Sequence, residues 1–372
     1  MKVGIVVPYS WSFWGGVVEH AEAQARALEQ LGVETRTLVG MDPPGSFSRA
    51  LHPRQGRAGP APPGVVALGR SVIVPGNAAL SNLVLSPSTL PRLRRTLARE
   101  HFDLLHVHEP LAPMIGPAAL ALWEGPTVAT FHAAGASAWR PIALRCWGFL
   151  LDRIDVRIAV SDQARQTAAG YAPGSYELLP NGIELPDAAD PAGRLDQVLF
   201  VGRHERRKGL PVLLRAWPEI RRRTGARLRV VGADPLAVRL LLRRLRVSED
   251  GMDLLGIVDE DTLAAELATA KLLVAPSLGN ESFGMVVLRA FASATPVVAS
   301  DIDAYRAVVA PEAGLLVPVA DAEALAAGVV SALEDEAARE DRGAAARELA
   351  GRYAWPKLAR ELVVHYESAL AG

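Results

Sequence analysis

At 372 residues the chain is longer than one α/β core normally needs and has about the length of two such domains. Its 40 basic and 41 acidic residues leave a net charge of −1, which excludes a global attraction to nucleic acid, so an anionic ligand must meet a local group of cations. The single cysteine, Cys146, cannot form an internal disulfide, and no apolar run reaches the roughly 20 residues that span a bilayer. These features predict a cytoplasmic protein.

The chain opens with a predicted buried strand, followed by a turn that carries two glycines. Val3 to Val7 is an apolar run, and Gly15 and Gly16 precede a helical pattern from Val17 to Leu31. Glycines at the start of a helix allow a ligand such as a phosphate or a sugar to approach the backbone. A plain tight turn explains the same residues, because the spacing is not that of a GxGxxG motif.

The next segment contains two predicted strands and two irregular stretches. Val33 to Val39 and Val65 to Leu68 are predicted strands, while Met41 to Pro63 is rich in Pro, Gly, Arg and Ser and is predicted to be a mobile loop. Val72 to Pro87 is predicted to be irregular, with a turn at residues 75–77.

Ser88 to Glu100 has the clearest helical periodicity of the first half. Three leucines recur on one side, and four arginines that no acid interrupts recur on another: Leu90, Leu93 and Leu97, and Arg92, Arg94, Arg95 and Arg99. A solvated helix face accounts for this pattern. The alternative is contact with an anionic membrane surface, which attracts each arginine by about 1 kcal/mol.

Histidines stand at the ends of two further predicted strands, Phe102 to Val107 and Thr127 to Phe131. Residues two apart in a strand share a face, so His106 and His108 lie side by side, but no third ligand is near in sequence, which disfavours zinc. His132 follows the second strand. The carboxyl end of a parallel strand is where substrates bind, so His132 is placed to meet one.

A second α/β series begins after the polar segment Asp187 to Arg194, which predicts a linker. Its first strand, Gln197 to Val201, leads into a loop with four basic residues: Arg203, Arg206, Arg207 and Lys208. Such cations neutralise a diphosphate, the arginines by paired hydrogen bonds and the lysine as a point charge. A solvated basic turn is the alternative.

Lys271 to Ser300 predicts a strand, a loop, a helix and a further strand. Ser282, Phe283 and Gly284 would present backbone N–H groups at the start of the helix, which suits a diphosphate, and Glu281 would accept hydrogen bonds from sugar hydroxyls. A capped turn with a solvent-facing glutamate is the alternative.

The remaining segments are predicted as a capping loop and three helices. The Asp301-Ile302-Asp303 sequence matches a metal-binding DxD signature but is interpreted as a loop cap. Asp321 to Gly351 predicts two helices, and Pro356 to Leu370 predicts a last one.

The whole chain resembles the retaining glycosyltransferases of family 4, and within them the bacterial phosphatidylinositol mannosyltransferases that use GDP-mannose. The resemblance implies the α/β GT-B fold, with two Rossmann-like doubly wound domains facing each other across a cleft. Residues 1–186 would bind the acceptor, residues 187–354 the nucleotide sugar, and residues 355–372 would form a helix that returns towards the first domain. The motifs that carry it are PYS (8–10), GGV (15–17), DLLHVHEP (103–110), VATFH (128–132), RIAVSDQAR (157–165), PNGIE (180–184), GR (202–203), RKG (207–209), ESFG (281–284) and SDIDAYR (300–306).

The resemblance also implies the reaction and the roles of individual residues. It implies transfer of mannose from GDP-mannose to a membrane-associated lipid such as phosphatidylinositol, with retention and without a metal, by a cytoplasmic enzyme at the inner face of the plasma membrane. The catalytic residues would be Arg203, Lys208, Glu281 and His132. Donor binding would involve Gly16, Arg203, Lys208, Val258, Glu281, Ser282, Phe283, Gly284 and Arg289; acceptor binding Tyr9, Asn77 and His132; and membrane contact Arg92, Arg94, Arg95 and Arg99.

Two departures from the family pattern leave alternatives open. Arg289 occupies the position of a second glutamate that normally binds ribose hydroxyls, and arginine cannot accept those hydrogen bonds. Asn82 and Val84 stand where the mannosyltransferases carry arginines near the lipid phosphate. The chain could therefore be a transferase for another donor or a soluble acceptor, or a non-catalytic relative that binds a sugar nucleotide.

Overall fold

The computed structural model describes residues 1–13, 15–42, 61–76, 79–135, 140–186 and 193–372. The chain forms two compact α/β units. Unit 1 contains Met1–Gly182 together with Trp355–Gly372, and unit 2 contains Ile183–Ala354. Most of the segment predicted as a mobile loop, Met41 to Pro63, lies outside the described residues. Among the described residues, no helix combines the length and the apolar character that crossing a bilayer requires.

Unit 1 is built on a mainly parallel sheet with the strand order β3-β2-β1-β6-β7-β8-β9. Apolar runs with β-branched residues form its central strands, which are buried on both faces as is usual for parallel sheets. The strands are β1 (Lys2–Ser10), β2 (Glu34–Gly40), β3 (Val65–Gly69), β4 (Ser71–Gly76), β5 (Ala79–Val84), β6 (Leu104–His108), β7 (Thr127–Phe131), β8 (Val156–Ala159) and β9 (Glu177–Leu178).

The prediction that Val72 to Pro87 is irregular was wrong. β4 and β5 form an antiparallel hairpin in which Val72 is paired with Leu83, and Tyr9 of β1 pairs with Leu83 in turn. The pairing alternates apolar and polar residues only weakly, and Pro75 lies inside a strand, so sequence periodicity did not reveal the hairpin.

The helices of unit 1 cover both faces of its sheet. Those on one face, α1 and α13, pack against the core of Val3, Ile5 and Val7, while α2, α3 and α4 share a second core with Val6, Leu105 and Val107. The helices are α1 (Gly16–Gln30), α2 (Thr89–Glu100), α3 (Ile115–Leu122), α4 (Arg140–Trp147), α5 (Asp162–Ala169) and α13 (Trp355–Ala371), and a 3-10 helix (Gly148–Arg153) follows α4.

Unit 2 contains a parallel sheet with the order β12-β11-β10-β13-β14-β15. β10 and β13 are adjacent, so the loops that follow these two strands lie side by side at the carboxyl edge. The strands are β10 (Leu195–Val201), β11 (Arg227–Val231), β12 (Met252–Gly256), β13 (Ala270–Ala275), β14 (Val297–Ser300) and β15 (Gly314–Val317).

Side-chain caps define where several helices of unit 2 begin. Asp234, Asp259, Asp321 and Asp335 each accept a hydrogen bond from a backbone N–H of the following first turn. The helices are α6 (Leu210–Thr224), α7 (Pro235–Leu245), α8 (Glu260–Thr269), α9 (Met285–Ala292), α10 (Asp303–Arg306), α11 (Ala322–Glu334) and α12 (Glu336–Ala350), with short 3-10 helices at Arg206–Lys208 and Gly351–Tyr353.

Candidate active site

In unit 2, the basic loop after β10 packs directly against the loop after β13. Gly209 makes this possible: its φ is +70°, and a Cβ at this position would lie 1.7 Å from the carbonyl oxygen of Pro276. The backbone N–H of Leu278 donates to the carbonyl of Arg207 at 2.7 Å, which fixes one loop to the other. A larger residue than glycine would separate the two loops.

Three of the predicted site residues, Arg203, Lys208 and Glu281, belong to one ionic network in unit 2. Lys208 Nζ lies 2.6 Å from Glu281 Oε1, and Arg207 Nη1 donates to the same oxygen at 3.0 Å. Arg207 Nε also donates to Glu205 at 2.7 Å, and Glu205 pairs with Arg203 Nη2 at 2.9 Å. Three cations thus share two carboxylates, which leaves one excess positive charge for an anionic ligand.

Glu281 is buried, and its described contacts fall on one oxygen. Besides Lys208 and Arg207, the Ser277 hydroxyl donates to Oε1 at 3.3 Å. Among the described residues, these hydrogen bonds and ion pairs all end on Oε1. Oε2 can therefore accept from a sugar hydroxyl. The interpretation of Glu281 as a solvent-facing glutamate is therefore wrong, because the carboxylate is held by cations inside the loop pair.

The buried side chain of Tyr305 packs against the loop that follows β13. Its hydroxyl lies 2.8 Å from that of Ser277, and its ring would be 3.1 Å from a Cβ at Gly284, where φ is +84°. Burial and the neighbouring Glu281 carboxylate raise the pKa of the Tyr305 phenol, which stays neutral. Arg207, Ser277 and Tyr305 were not among the predicted site residues; only the charge of the RKG motif pointed to the first.

The start of α9 offers backbone rather than side-chain contacts. The ring of Phe283 is buried in the core of unit 2, at 5.7 Å from the Tyr353 ring, so this residue can meet a ligand only through its backbone. Ser282 and Gly284 flank it, immediately before the helix begins at Met285. First-turn N–H groups lack intrahelical acceptors and carry the positive end of the helix dipole, which suits a phosphate.

Two further predicted donor residues lie at the same edge of unit 2. Val258 lies two residues after the end of β12 and is partly buried against the core that contains Phe283. Arg289 of α9 forms an ion pair with Glu260, the first residue of α8. Arg289 therefore has an acidic partner within the protein.

The aspartates of the DxD sequence are engaged by an arginine. Arg306 Nε donates to Asp301 Oδ1 at 2.6 Å, and Arg306 Nη1 donates to Asp303 Oδ1 at 2.5 Å. The backbone cap of α10 is Ile302. The aspartates thus form a local ion-pair cluster at a helix start, and among the described residues α10 has no side-chain cap, so the interpretation of these residues as a loop cap is not confirmed.

In unit 1, His132 is held at the carboxyl end of β7 by contacts on two sides. His108 Nδ1 lies 2.9 Å from His132 Nε2, and the Glu109 carboxylate accepts from the backbone N–H groups of His132 and Ala133 at 2.6 and 2.7 Å. Glu109 itself has φ of +50°, an uncommon conformation for a residue with a side chain. The loop after β7 is thereby fixed to the end of β6.

A third histidine joins this pair. His20, four residues after Gly16 on α1, lies with its ring centroid 5.0 Å from that of His132 and 5.6 Å from that of His108. One nitrogen of each of these three rings lies within 4.8 Å of the others, a set that could bind a transition metal ion. No third histidine is near in the sequence, but the fold brings His20 to His108 and His132. The sequence signal available for His20 was its position four residues after Gly16, which places both residues on one face of the first helix.

Burial keeps these imidazoles uncharged at neutral pH. It lowers the pKa of His20 to about 4 and that of His106 to about 3, and neighbouring histidines add repulsion at His106. The pKa values of His108 and His132 are also well below the ordinary value, for the same two reasons, although an interaction with Asn181 raises that of His132. His132 can therefore exchange hydrogen bonds with a hydroxyl but is a weak proton acceptor.

The other predicted acceptor residues lie at the same edge of unit 1 or outside the described residues. Tyr9, near the end of β1, is half-buried, and burial together with Glu109 raises the pKa of its phenol. Asn77 lies outside the described residues. Gly16, predicted to contact the donor, is the first residue of α1, and a Cβ there would meet no atom of the described residues within 4 Å.

The four arginines of α2 are exposed, and its apolar side is narrower than predicted. Leu93 and Leu97 are buried, but Leu90 is 44% exposed. Among the described residues, no acid is ion-paired with Arg92, Arg94, Arg95 or Arg99.

Comparison with known proteins identifies the class to which this fold and site belong. Residues 14–186 match the family described as Glycosyltransferase Family 4, and residues 196–335 match that described as Glycosyl transferases group 1. A sucrose-phosphate synthase from Thermosynechococcus elongatus has a TM-score of 0.77 and 23% identity and is matched over 99% of its chain and 100% of this one. The two Rossmann-like units and the two family matches define a glycosyltransferase of the GT-B fold.

Curated relatives then narrow the class. The phosphatidyl-myo-inositol mannosyltransferase of Mycolicibacterium smegmatis is 36% identical over 99% of this chain and 94% of its own length. That of Propionibacterium freudenreichii is 33% identical over 99% of this chain and 95% of its own. The chain belongs to the family 4 glycosyltransferases.

Proposed function

We propose that this glycosyltransferase moves mannose from GDP-mannose to phosphatidylinositol or a related membrane lipid, with retention of configuration. The observation that carries the proposal is the ionic network beside a helix start, in which Arg207 and Lys208 contact Glu281 and Glu205 links Arg207 to Arg203. The mannosyltransferases of M. smegmatis and P. freudenreichii, which match nearly the whole chain, support the choice of sugar and acceptor. A solved relative, HepE of Anabaena, binds UDP and glucose, which supports a nucleotide-sugar donor.

The donor diphosphate would lie against Arg203, Lys208 and the backbone N–H groups before Met285. Negative charge grows on the departing diphosphate as the bond to the sugar breaks. Fixed cations and helix-start N–H groups stabilise that charge in the transition state, an electrostatic contribution of several kcal/mol. Because side chains supply the positive charge, the reaction needs no metal ion.

The ionic network would rearrange when the diphosphate binds. Lys208 Nζ lies 2.6 Å from Glu281 Oε1, and a phosphate oxygen would share this ammonium group. Glu281 would keep Arg207 through Oε1 and use Oε2 to accept from a hydroxyl of the transferred sugar. Val258 would lie near the nucleotide base.

The acceptor would be met in unit 1. His132 is a neutral imidazole whose backbone is held by Glu109, so it can accept a hydrogen bond from the acceptor hydroxyl without carrying a permanent charge. Tyr9 lies near the end of β1, at the same edge of the unit 1 sheet, and would give the acceptor a second contact. The exposed arginines of α2 would hold the enzyme on anionic lipid at the inner face of the plasma membrane.

A donor whose ribose is held differently from the family pattern is the second candidate, and one contact favours it. Arg289 pairs with Glu260 at the position where a ribose-binding carboxylate is expected from the family pattern. Glu260 would either supply that carboxylate from α8 or leave the ribose less tightly bound. Because GDP, UDP and ADP carry the same ribose, this contact changes the affinity for the nucleotide, and the choice of base is tested separately.

The test replaces the cations one at a time. Arg203→Ala and Lys208→Ala should each lower kcat by about 100-fold or more, because each removes stabilisation of the leaving group. Transfer of radiolabelled mannose from GDP-mannose to phosphatidylinositol in mixed micelles measures the rate.

Arg206→Ala is the matched control. Although this arginine is one of the four cations of the basic loop, it is exposed and, among the described residues, makes no side-chain ion pair, so it lies outside the ionic network. Near-parent rates are expected for it. If Arg203→Ala and Lys208→Ala also retained the parent rate, the assignment of the diphosphate site would be refuted.

A further inference from the structure

In unit 1, one outward side of α4 and the following 3-10 helix is apolar, although it faces solvent. Ile142 is 54% exposed and Phe149 is 71% exposed, and Cys146 between them is exposed as well. These three residues recur at a spacing of four and three and define what we call the Phe149 face. On the opposite side, Ala143, Leu150 and Leu151 are buried in the core, so the element cannot turn its exposed side inward.

The border of the Phe149 face carries a cation on the α4 side, and an acid and a cation, the exposed Asp152 and Arg153, at the end of the 3-10 helix. Residues 141–151 contain no acid, and the exposed Arg145 lies beside Cys146. Trp147, half-buried at the end of α4, adds an aromatic ring of the kind enriched where protein meets the headgroup region. Apolar side chains with arginine at their border are typical of a helix that lies in a membrane interface.

The Phe149 face belongs to the same helical layer as the arginines of α2. Leu93 and Leu97 of α2, Ile115 of α3, and Ala143 and Leu150 share one apolar core on one side of the unit 1 sheet. The exposed arginines and the exposed apolar residues thus lie on helices of one layer. Arginines alone attract anionic lipid, whereas apolar side chains give insertion, and stable anchoring generally needs two such signals.

We propose that the Phe149 face inserts into the headgroup and acyl boundary of an anionic bilayer, as a membrane contact separate from the arginine helix. A second copy of the chain fits less well. A symmetric interface would bring the arginines of one copy towards those of the other, and three apolar side chains fall short of the roughly 800 Å² per partner of a standard interface.

The position of the face in the chain gives it a role. α4 begins eight residues after His132, whose backbone is held by Glu109. Insertion of the face would keep the end of β7 close to the lipid surface, where an acceptor headgroup is presented. This role rests on the proposed function, whereas the insertion itself does not.

The native chain provides a reporter in the centre of the face. Cys146 is its single cysteine and is exposed, so an environment-sensitive thiol dye labels that position alone. Addition of phosphatidylcholine vesicles containing phosphatidylglycerol should shift the dye emission to the blue, and acyl-brominated lipid should quench it. Vesicles of phosphatidylcholine alone should give a smaller shift.

A variant of the unlabelled protein tests the side chains. Ile142→Ser with Phe149→Ser should weaken sedimentation with the anionic vesicles by about tenfold or more, because the apolar insertion is lost. Leu236→Ser with Leu240→Ser is the matched control, since these leucines of α7 in unit 2 are 60% and 65% exposed. The control should bind vesicles as the parent does.

Three outcomes would overturn the proposal. Dye emission that is unchanged while the protein sediments with vesicles would show that the arginine helix binds alone. A blue shift that grows with protein concentration and needs no lipid would show that a second copy covers the face. Equal losses in the two double variants would show a general effect of surface hydrophobicity.

Failure of the proposed function would be recognised separately. Slow release of mannose from GDP-mannose without lipid reports donor chemistry and should be the same in the parent and in the Ile142→Ser, Phe149→Ser variant. Its absence in both, with the dye shift intact, would refute the donor assignment and leave the insertion supported.

Discussion

Glu281 and His132 show how the surroundings of one side chain determine its chemistry. Glu281 is buried, and its carboxylate is oriented by ion pairs with Lys208 and Arg207. His132 is buried beside other imidazoles, so its pKa falls and it remains neutral. Both residues are recognisable in the sequence, but the partners that give them these properties come from other parts of the chain.

Gly16 provides a prediction at this scale. The space around a Cβ at Gly16 is open among the described residues, so Gly16→Ala should fold as well as the parent, or up to about 1 kcal/mol better. The resemblance to the family assigns the space beside Gly16 to the donor, and the added methyl group would occupy it. We expect kcat/KM for GDP-mannose to fall by about tenfold or more, measured by initial rates.

The control for this variant is Gly351→Ala. A Cβ at Gly351 also meets no described atom within 4 Å, and the residue lies in the short 3-10 helix after α12. It should change neither the unfolding free energy by more than about 1 kcal/mol nor the rate. Equal rates for both alanine variants would remove Gly16 from the donor site.

Among the elements, α13 is tied to the first half of the chain by a buried polar network. The Tyr366 hydroxyl lies 2.7 Å from His106 Nδ1 on β6 and accepts from Gln24 Nε2 on α1 at 3.1 Å. Gln24 Nε2 can only donate, so His106 Nδ1 is the acceptor, and its other nitrogen donates to Thr130 Oγ1 at 2.7 Å. A buried network of this kind fixes the orientation of the helix on the sheet.

Removal of one hydroxyl should loosen that attachment. Tyr366→Phe is expected to lower the unfolding free energy by about 1–3 kcal/mol, because buried polar groups on His106 and Gln24 lose a partner. Urea denaturation followed by circular dichroism measures the change.

The matched control is Tyr176→Phe. The hydroxyl of Tyr176 donates to the carbonyl of Ala172 at 2.6 Å, but this residue is only half-buried, so water can replace the bond. Its loss should be about 1 kcal/mol or less. A Tyr366 variant no less stable than the Tyr176 variant would contradict the structural importance of the network.

At the scale of the whole molecule, the chain leaves unit 1 after Gly182 and returns to it at Trp355. α13 contributes Trp355, Leu358 and Tyr366 to the core that contains the first strand. The unit that carries the proposed donor site is therefore one continuous segment, whereas the unit that carries the proposed acceptor site is assembled from both ends of the sequence.

A nucleotide panel tests the donor on the intact protein. A ligand present at 100 times its dissociation constant should add about 2.7 kcal/mol of stability and raise the melting temperature. We expect GDP and GDP-mannose to stabilise the protein more than the corresponding UDP and ADP compounds at equal concentration, measured by differential scanning fluorimetry.

Lys208→Ala should lose most of this stabilisation, while Arg206→Ala should retain it. A larger effect of UDP or ADP compounds would replace GDP in the proposal, whereas weak stabilisation by all three nucleotides would agree with the Arg289–Glu260 pair as a changed ribose site. A panel without any stabilisation would count against nucleotide binding by unit 2.

Local patterns in the sequence were enough to predict two α/β units, most of their parallel strands, and the loops that carry the candidate residues. Periodicity, turn residues and charge act over a few neighbours, so they can be read without knowing the fold. The β4–β5 hairpin was missed because its alternation is weak and a proline lies within it.

Only the tertiary structure decided which loops meet. Lys208 and Glu281 are far apart in the chain, and they touch because β10 pairs directly with β13 in the sheet. His20 reaches His108 and His132 for a similar reason, since α1 packs over the strands that carry them. Strand order is set by packing of the whole core, which no local pattern encodes.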